Sequence, residues 1–184
     1  MPSVSLNGES VRKRQQEEVI ESRQFLTFLV GTESFAMPIA SIREIIEFGG
    51  LTEVPLMPDF LRGVINLRGA IVPIIDLADR FGHGLSPLGA RTCIVIVEIL
   101  DEDETHLMGA LVDAVSAVVE IEADALRQAP AFGSRVRSEF IEDMARLDER
   151  FITLLRMEQV LSVEQIAAMA GLRNESLSPS ADVR

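Results

Sequence analysis

The side chains that most often carry chemistry in proteins are scarce in this sequence and are not spaced for it. The 184 residues include two histidines, His83 and His106, and a single cysteine, Cys93. Neither histidine has a second His or Cys at the spacing of a metal-ligand set. Cys93 opens the apolar run CIVIV and is therefore predicted to be a buried small hydrophobe and not a reactive thiol. The sequence predicts neither a metal site nor a nucleophilic cysteine.

The motifs of nucleotide binding, calcium binding and nucleophilic catalysis are also incomplete or absent. Gly82 and Gly84 begin a dinucleotide-binding pattern, but Pro87 stands at the third glycine position. The acidic run 101–104 resembles the start of a calcium loop, but His106 occupies the position that requires glycine. The phosphate-binding P-loop and the G-x-S-x-G motif are absent. We therefore expect a binding protein that is not an enzyme and uses no cofactor.

Asp76 and Asp79 are two carboxylates near the end of a predicted strand, and such a pair could act in acid–base catalysis. Asp79 and Arg80 are instead more typical of the opening of a short polar turn. We expect this pair to be structural.

The excess of acidic residues argues against partners that carry negative charge. There are 17 Lys and Arg against 29 Asp and Glu, which gives a net charge of −12. Nucleic acids and anionic membrane surfaces require clustered cations, so we expect neither as a partner. The N-terminal residues lack the apolar core of a secretion signal, and no apolar stretch approaches the ~18 residues of a membrane span. The sequence predicts a cytoplasmic protein without direct membrane insertion.

The elements that would position a binding site are mostly strands. Short runs rich in β-branched and aromatic residues, separated by Gly and Pro, are typical of barrels or a sandwich. The predicted strands span 25–30, 35–48, 63–67, 70–76, 92–100, 106–120 and 151–157. A capping box at 162–165 predicts a short C-terminal helix that ends at Gly171. Residues 1–22 are predicted to be a disordered arm and residues 171–184 a loose tail.

The central sequence is similar to itself. A shift of 73 places the isoleucines of 39–46 on the valines of 112–119, and a shift of 72 places the segment 58–60 on 130–132. A shift of 80 places 71–75 on 151–155. These matches predict two similar β-modules, because three landmarks recur in one order.

The most unusual stretch is LRGVINLRGAIVPIID, at 61–76. Its residues 66–69, Asn-Leu-Arg-Gly, are predicted to form a turn between two apolar strands. Arg68 at this turn is either a solvated charge or a recognition residue, since arginine is enriched at interface hot spots. Glu44 is an acidic candidate partner for Arg68, and the sequence leaves their contact open.

Over about residues 23–170 the chain resembles the CheW family, the adaptors of bacterial chemotaxis arrays. The segments that carry the resemblance are QFLTF at 24–28, IREI at 42–45, LRGVINLRG at 61–69, VPIIDL at 72–77, GALVDAV at 109–115 and RQAPAFG at 127–133. The resemblance implies a mainly β fold of two packed SH3-like five-stranded β-barrel subdomains with a short C-terminal helix. The first would span roughly 23–90 with a return strand near 151–157, and the second 91–150.

The resemblance also implies a function and a set of partners. Members of this family are non-enzymatic adaptors that couple the cytoplasmic tips of chemoreceptors to the regulatory domain of a CheA-type histidine kinase. The family positions that are linked to this coupling correspond to Ile42, Glu44, Gly63 and Arg68 in the first module, and to Val115 and Val118 in the second. The protein would then be recruited to membrane-associated receptor arrays.

Two alternatives stay open at this point. One is an adaptor of the same fold in a non-flagellar chemosensory system that controls pili, development or a cyclic nucleotide. The other is a small ligand-binding β-barrel protein with its site between the modules, which a deep polar pocket near Arg68 and Glu44 would favour.

Overall fold

A computed structural model describes residues 22–130 and 135–169 of the chain. Within these ranges the chain forms eleven β-strands and three short α-helices. The strands are β1 (Ser22–Val30), β2 (Glu33–Pro38), β3 (Ile42–Glu47), β4 (Leu61–Leu67), β5 (Ala70–Asp76), β6 (Cys93–Asp101), β7 (Glu104–Val112), β8 (Ala114–Glu122), β9 (Leu126–Arg127), β10 (Ile141–Leu147) and β11 (Arg150–Leu155). The helices are α1 (Leu77–Arg80), α2 (Met157–Val160) and α3 (163–169).

The strands form two sheets that share one arrangement of five strands, to which the second sheet adds β9 as a sixth. The first sheet has the order β3-β6-β7-β5-β4, and the second has the order β8-β1-β2-β11-β10-β9. In each sheet a long antiparallel hairpin lies in the middle, β6–β7 in the first and β1–β2 in the second. One strand of each hairpin pairs in parallel with a second hairpin, through β5·β7 and β11·β2. We call the first sheet with α1 the first module, and the second sheet with α2 the second module.

The two modules repeat each other at a constant spacing. β4 and β10, β5 and β11, and α1 and α2 each begin 80 residues apart. The hydrogen bond from Asp76 N to Phe60 O recurs as the bond from Arg156 N to Phe140 O. The predicted internal repeat is therefore confirmed at the shift of 80. The counterpart of Phe60 is Phe140, at the shift of 80, and residues 131–132 lie outside the described part.

Three apolar cores hold this arrangement together. Each module has a core of its own, which includes Ile94 and Ile96 in the first and Phe25 in the second. A larger central core lies between the modules and takes the alternate side chains of the same strands, such as Val95 and Phe28. β1 and β6 bury both of their faces for this reason, which explains why their sequences are nearly continuous apolar runs.

The mainly β fold of two packed modules is confirmed, and several boundaries differ from the prediction. The predicted strand 35–48 is interrupted after Pro38 by a single 3-10 turn, which separates β2 from β3. The predicted strand 106–120 breaks at Asp113, where the chain leaves the first sheet and enters the second. The carboxylate of Asp113 accepts a hydrogen bond from Gly31 N at 2.6 Å, which fastens this crossing to the β1–β2 turn.

The division of the chain between the modules also needs correction. The predicted subdomains, 23–90 with a return strand near 151–157 and 91–150, assign β1 and β2 to the same subdomain as β3. In the structure β1 pairs with β8 and β2 with β11, so the first module runs from β3 to β7 and the second combines both ends of the described chain. Sequence proximity misleads here because β3 pairs with the distant strand β6.

The predicted C-terminal helix is present as α3, with one change in its cap. Ser162 Oγ accepts a hydrogen bond from Gln165 N at 3.3 Å, as the capping box requires. The Gln165 side chain does not return to the cap, because its Oε1 accepts a hydrogen bond from Arg80. The predicted stop at Gly171, the tail at 171–184 and all but the last residue of the predicted arm at 1–22 lie outside the described residues. That last residue, Ser22, is instead the first residue of β1.

Candidate functional site

The turn between β4 and β5 presents Arg68 in a defined place. Arg68 has φ 52° and Gly69 has φ 89°, so both residues of this two-residue turn lie in the left-handed region that hairpin turns of this kind require. The Asn66 side chain accepts a hydrogen bond from Gly69 N at 2.8 Å. The Arg68 side chain is 80% exposed, so its guanidinium points into solvent from a rigid hairpin.

Glu44 contacts Arg68 across the first module. The Glu44 Oε2 lies 3.4 Å from Arg68 Nη2, and the Glu44 side chain is more buried than its partner. The register between β3 and β6 shifts between Ile42 and Glu44, and such a bulge re-aims the side chains beside it. An exposed ion pair contributes about 0–1 kcal/mol, so this pair serves to place a charge more than to stabilise the fold.

Gly63 lies where the backbone leaves no room for a side chain. A Cβ at this position would lie 2.3 Å from the backbone oxygen of Thr52 and 2.6 Å from Leu51 Cδ1, and φ is +155°. The close approach lets Val64 and Thr52 exchange backbone hydrogen bonds of 2.8 and 2.9 Å. Gly63 is buried, so it supports β4 and offers no side chain to a partner.

The remaining predicted residues lie on two edge strands. Ile42 on β3 and Val115 on β8 come from different modules and both pack against the central core. Val118 is 57% exposed on β8. Within the described residues β3 pairs with β6 alone and β8 with β1 alone, so each is the end strand of its sheet. The structure thus joins Glu44 directly to Arg68, brings Ile42 and Val115 to a common core, and keeps Gly63 away from the surface.

The paired carboxylates Asp76 and Asp79 are structural. Asp76 is fully buried and caps α1 by accepting from Ala78 N at 3.0 Å. Its carboxylate also accepts two hydrogen bonds of 2.8 Å from Ser86, through the backbone N and Oγ, and lies 3.3 Å from Arg62 Nη1. Every lone-pair direction of Asp76 therefore has a donor nearby, which leaves no site for acid–base work.

The pKa of Asp79 is raised from its ordinary value. Burial is the largest cause, followed by the negative charges of Asp76 and Asp59, while Arg62 opposes the shift. A raised carboxyl pKa is common in active sites, but Asp76, the charge that contributes most to this shift, is fully buried and already accepts hydrogen bonds from Ser86 and Ala78, so the two carboxylates do not form a free acid–base pair.

Arg80 is the residue that the sequence prediction missed. The sequence predicts it at the opening of a short polar turn, but only 7% of its surface is exposed. Its guanidinium lies between the rings of Phe60 and Phe140 and donates to the second module and α3. No local signal marks a buried arginine, because its partners are about 80 residues away in sequence.

Neither a metal centre nor a membrane span is found in the described residues. No group of three or more His, Cys, Asp or Glu side chains there could hold a metal ion. No helix there is long and apolar enough to cross a bilayer. Two open clefts of about 410 and 470 Å³ are lined by other residues than Arg68 and Glu44. These clefts therefore give no support to a ligand site at that ion pair.

Comparison with known proteins gives one consistent family. Residues 24–165 match the family model described as CheW-like domain. The chain is 33% identical over 145 residues to the chemotaxis protein CheW of Klebsiella aerogenes, covering 79% of this chain and 85% of that protein. It is also 30% identical over 109 residues to protein PilI of Pseudomonas aeruginosa, covering 59% of each.

A solved structure has the same fold. The scaffolding protein TtCheW from Thermoanaerobacter tengcongensis superimposes with a TM-score of 0.69 at 30% sequence identity. The match covers 77% of this chain and 88% of that one. Both modules must therefore contribute to the superposition.

Proposed function

Because this chain belongs to the CheW-like domain family, whose members are non-enzymatic scaffold adaptors of chemotaxis signalling, we propose that it couples chemoreceptors to a CheA-type histidine kinase. The receptor would contribute its cytoplasmic tip and the kinase its regulatory domain. The adaptor would be cytoplasmic and would be recruited to membrane-associated receptor arrays through these contacts.

The observation that supports this proposal most directly is the exposed Glu44–Arg68 pair beside the free edge of the first sheet. A charged pair next to exposed or half-buried aliphatic residues suits a helical partner that combines an apolar stripe with polar flanks. Val118 and Val115 offer aliphatic surface on the second module, and Ile42 does so on the first. The receptor tip, a helical hairpin, would dock against these two edges.

The affinity of one such contact is expected to be modest. The Glu44–Arg68 pair is exposed, and exposed ion pairs contribute little by themselves. Arraying many adaptors raises the effective concentration of each partner and converts weak contacts into a stable assembly. A rigid adaptor without a catalytic site is sufficient for this function.

The experiment is a titration of the full chain against the regulatory domain of the kinase and, separately, against a receptor cytoplasmic fragment. We expect the wild-type chain to bind both partners saturably, and the Arg68→Ala variant to bind at least one of them more weakly. Arg91→Ala is the matched control, because Arg91 is also an exposed arginine near a strand end. Binding of both partners by Arg68→Ala with wild-type affinity would contradict the role of Arg68, and absence of binding by the wild-type chain would contradict the proposed function.

A second candidate function has one observation in its favour. The similarity to protein PilI of Pseudomonas aeruginosa fits an adaptor of a chemosensory system that serves pili. The covered share is smaller than for the Klebsiella aerogenes protein, so we rank this candidate second. Parallel titrations against the regulatory domains of a flagellar and a pilus-associated kinase from the same cell would separate the two functions.

A further inference from the structure

Arg80 lies where the two modules meet. Its side chain leaves the C-terminal end of α1 in the first module and ends between Phe60 and Phe140. These two phenylalanines are counterparts in the internal repeat, one from each module. Their ring centroids are 5.0 and 4.8 Å from the Arg80 Cζ, so the guanidinium is held between equivalent positions of the repeat.

The hydrogen bonds of Arg80 all reach away from its own module. Nε donates to Val160 O at 2.9 Å, and Nη2 donates to Gln159 O at 3.4 Å, both at the C-terminal end of α2. Nη2 also donates to Gln165 Oε1 at 2.8 Å on α3, and Nη1 lies 3.9 Å from Met169 Sδ. One side chain therefore joins the first module to the second module and to the C-terminal helix.

None of these four acceptors carries a charge. Burying a cation without a hydrogen-bonded anion is costly, and burial is the largest cause that lowers the pKa of Arg80, followed by the charge of Arg137, while Glu139 opposes the shift. A well-packed apolar side chain would fill the same space at lower cost. The hydrogen bonds and the two ring contacts offset the cost of burial, and they also fix an orientation, because the guanidinium carries its five donors in a fixed plane.

The hydrogen bonds of Arg80 add a directional restraint to the packing of the central core. Apolar burial is non-directional, so the buried area alone does not select one orientation, whereas hydrogen bonds from a planar group do. The residues proposed for receptor docking are divided between the modules, with Ile42, Glu44 and Arg68 on one and Val115 and Val118 on the other. A small rotation between the modules would misalign the two halves of that surface.

We propose that Arg80 is a positioning residue that sets the relative orientation of the two modules and thereby aligns the two halves of the receptor-docking surface. This inference rests on the proposed function for its effect on binding. Its effect on orientation is independent of any partner, which allows the two to be tested apart.

The experiment measures the distance between one spin label on each module. Thr105→Cys and Arg146→Cys provide exposed label positions in the first and second modules, in a Cys93→Ser background. Arg80→Met removes the donors but keeps an apolar side chain of similar length, and Arg80→Lys keeps the charge without the planar fork. The control is Ile94→Ala, which makes a cavity within the first-module core and leaves the Arg80 contacts intact.

We expect Arg80→Met to broaden or shift the distance distribution and to weaken receptor-fragment binding about fivefold or more. Arg80→Lys should change both in the same direction, and it carries the test alone if the methionine variant does not fold. Ile94→Ala should lower the melting temperature while it keeps the wild-type distribution and affinity.

Three results would overturn the proposal. They are a wild-type distance distribution in both Arg80 variants, an equal broadening in Ile94→Ala, and a broadened distribution with unchanged receptor affinity. If the wild-type chain binds neither partner, the proposed function fails, and the distance distributions alone decide whether Arg80 sets the orientation.

Discussion

A substitution at Gly63 can distinguish a structural role from a role in contacting a partner. The family resemblance places Gly63 among the coupling positions, but the structure buries it. We predict that Gly63→Ala unfolds much more easily than wild type. A Cβ would lie 2.3 Å from Thr52 O, which is backbone and cannot move aside as a flexible side chain could. The new methyl group must therefore push apart the loop that carries Thr52 and the strand β4.

The expected loss in the free energy of unfolding is the sum of two contributions. Placing alanine at φ +155° costs about 1 kcal/mol of backbone strain, and overpacking of this kind typically costs about 1–3 kcal/mol. The sum is a loss of about 2–4 kcal/mol in the free energy of unfolding. For a chain of this length that corresponds to a melting temperature lower by about 4–16 °C.

The chain offers a matched control in Gly69→Ala. Gly69 also has a positive φ, +89°, but nothing lies within 4 Å of its added Cβ. It should therefore lose only the strain contribution, about 1 kcal/mol. Urea unfolding followed by circular dichroism suits both variants, because the protein has no Trp or Tyr for fluorescence.

Two results would refute this reasoning. One is a Gly63→Ala variant that unfolds at the same urea concentration as Gly69→Ala, which would mean that the loop yields without cost. The other is a Gly63→Ala variant of wild-type stability that has lost partner binding, which would mean that the glycine acts at the surface.

Three further predictions follow from the edge strands, the ion pair and the raised pKa. Val118→Arg should weaken receptor-fragment binding at least about tenfold in a titration without lowering the melting temperature, because the side chain is exposed; an unchanged affinity would remove β8 from the docking surface. Glu44→Arg with Arg68→Glu should keep the stability within about 1 kcal/mol but should not restore binding, since the charge presented to the partner is reversed; restored binding would make the pair merely structural. The pKa of Asp79 is raised above its ordinary 3.8 in the folded chain. The ionised carboxylate therefore destabilises the fold at neutral pH, and this destabilisation is lost as the pH falls through the folded pKa towards 3.8. Asp79→Asn should therefore raise the melting temperature at pH 7 more than at pH 3.5, and an equal change at both pH values would contradict the shift.

Local sequence patterns were enough to predict the class of fold and the location of the main site candidate. The apolar runs of β1 and β6 and the Asn66–Gly69 turn predicted strands and a hairpin correctly, because alternation, β-branching and turn chemistry act over a few residues. The internal repeat was also visible in the sequence, since β5 and β11 must fill equivalent positions in two similar cores.

Local patterns failed where a turn lacked its usual residues. β10 was not predicted, because its sequence IEDMARL mixes polar residues into both faces. The turn that follows it uses Asp148 and Glu149 at positive φ, where glycine or asparagine would have marked a hairpin.

Three features could be read from the folded chain alone: which strands belong to which module, how Glu44 contacts Arg68, and why Arg80 is buried. Each of these depends on contacts between residues that lie far apart in the chain, such as β1 with β8, or Arg80 with Val160. A charged residue that follows a strand is usually solvated, and nothing within a few residues of Arg80 distinguishes it from that ordinary case. Its environment is created by the packing of two modules, each of which is specified by its own local pattern, and the relation between them exists only once both have folded.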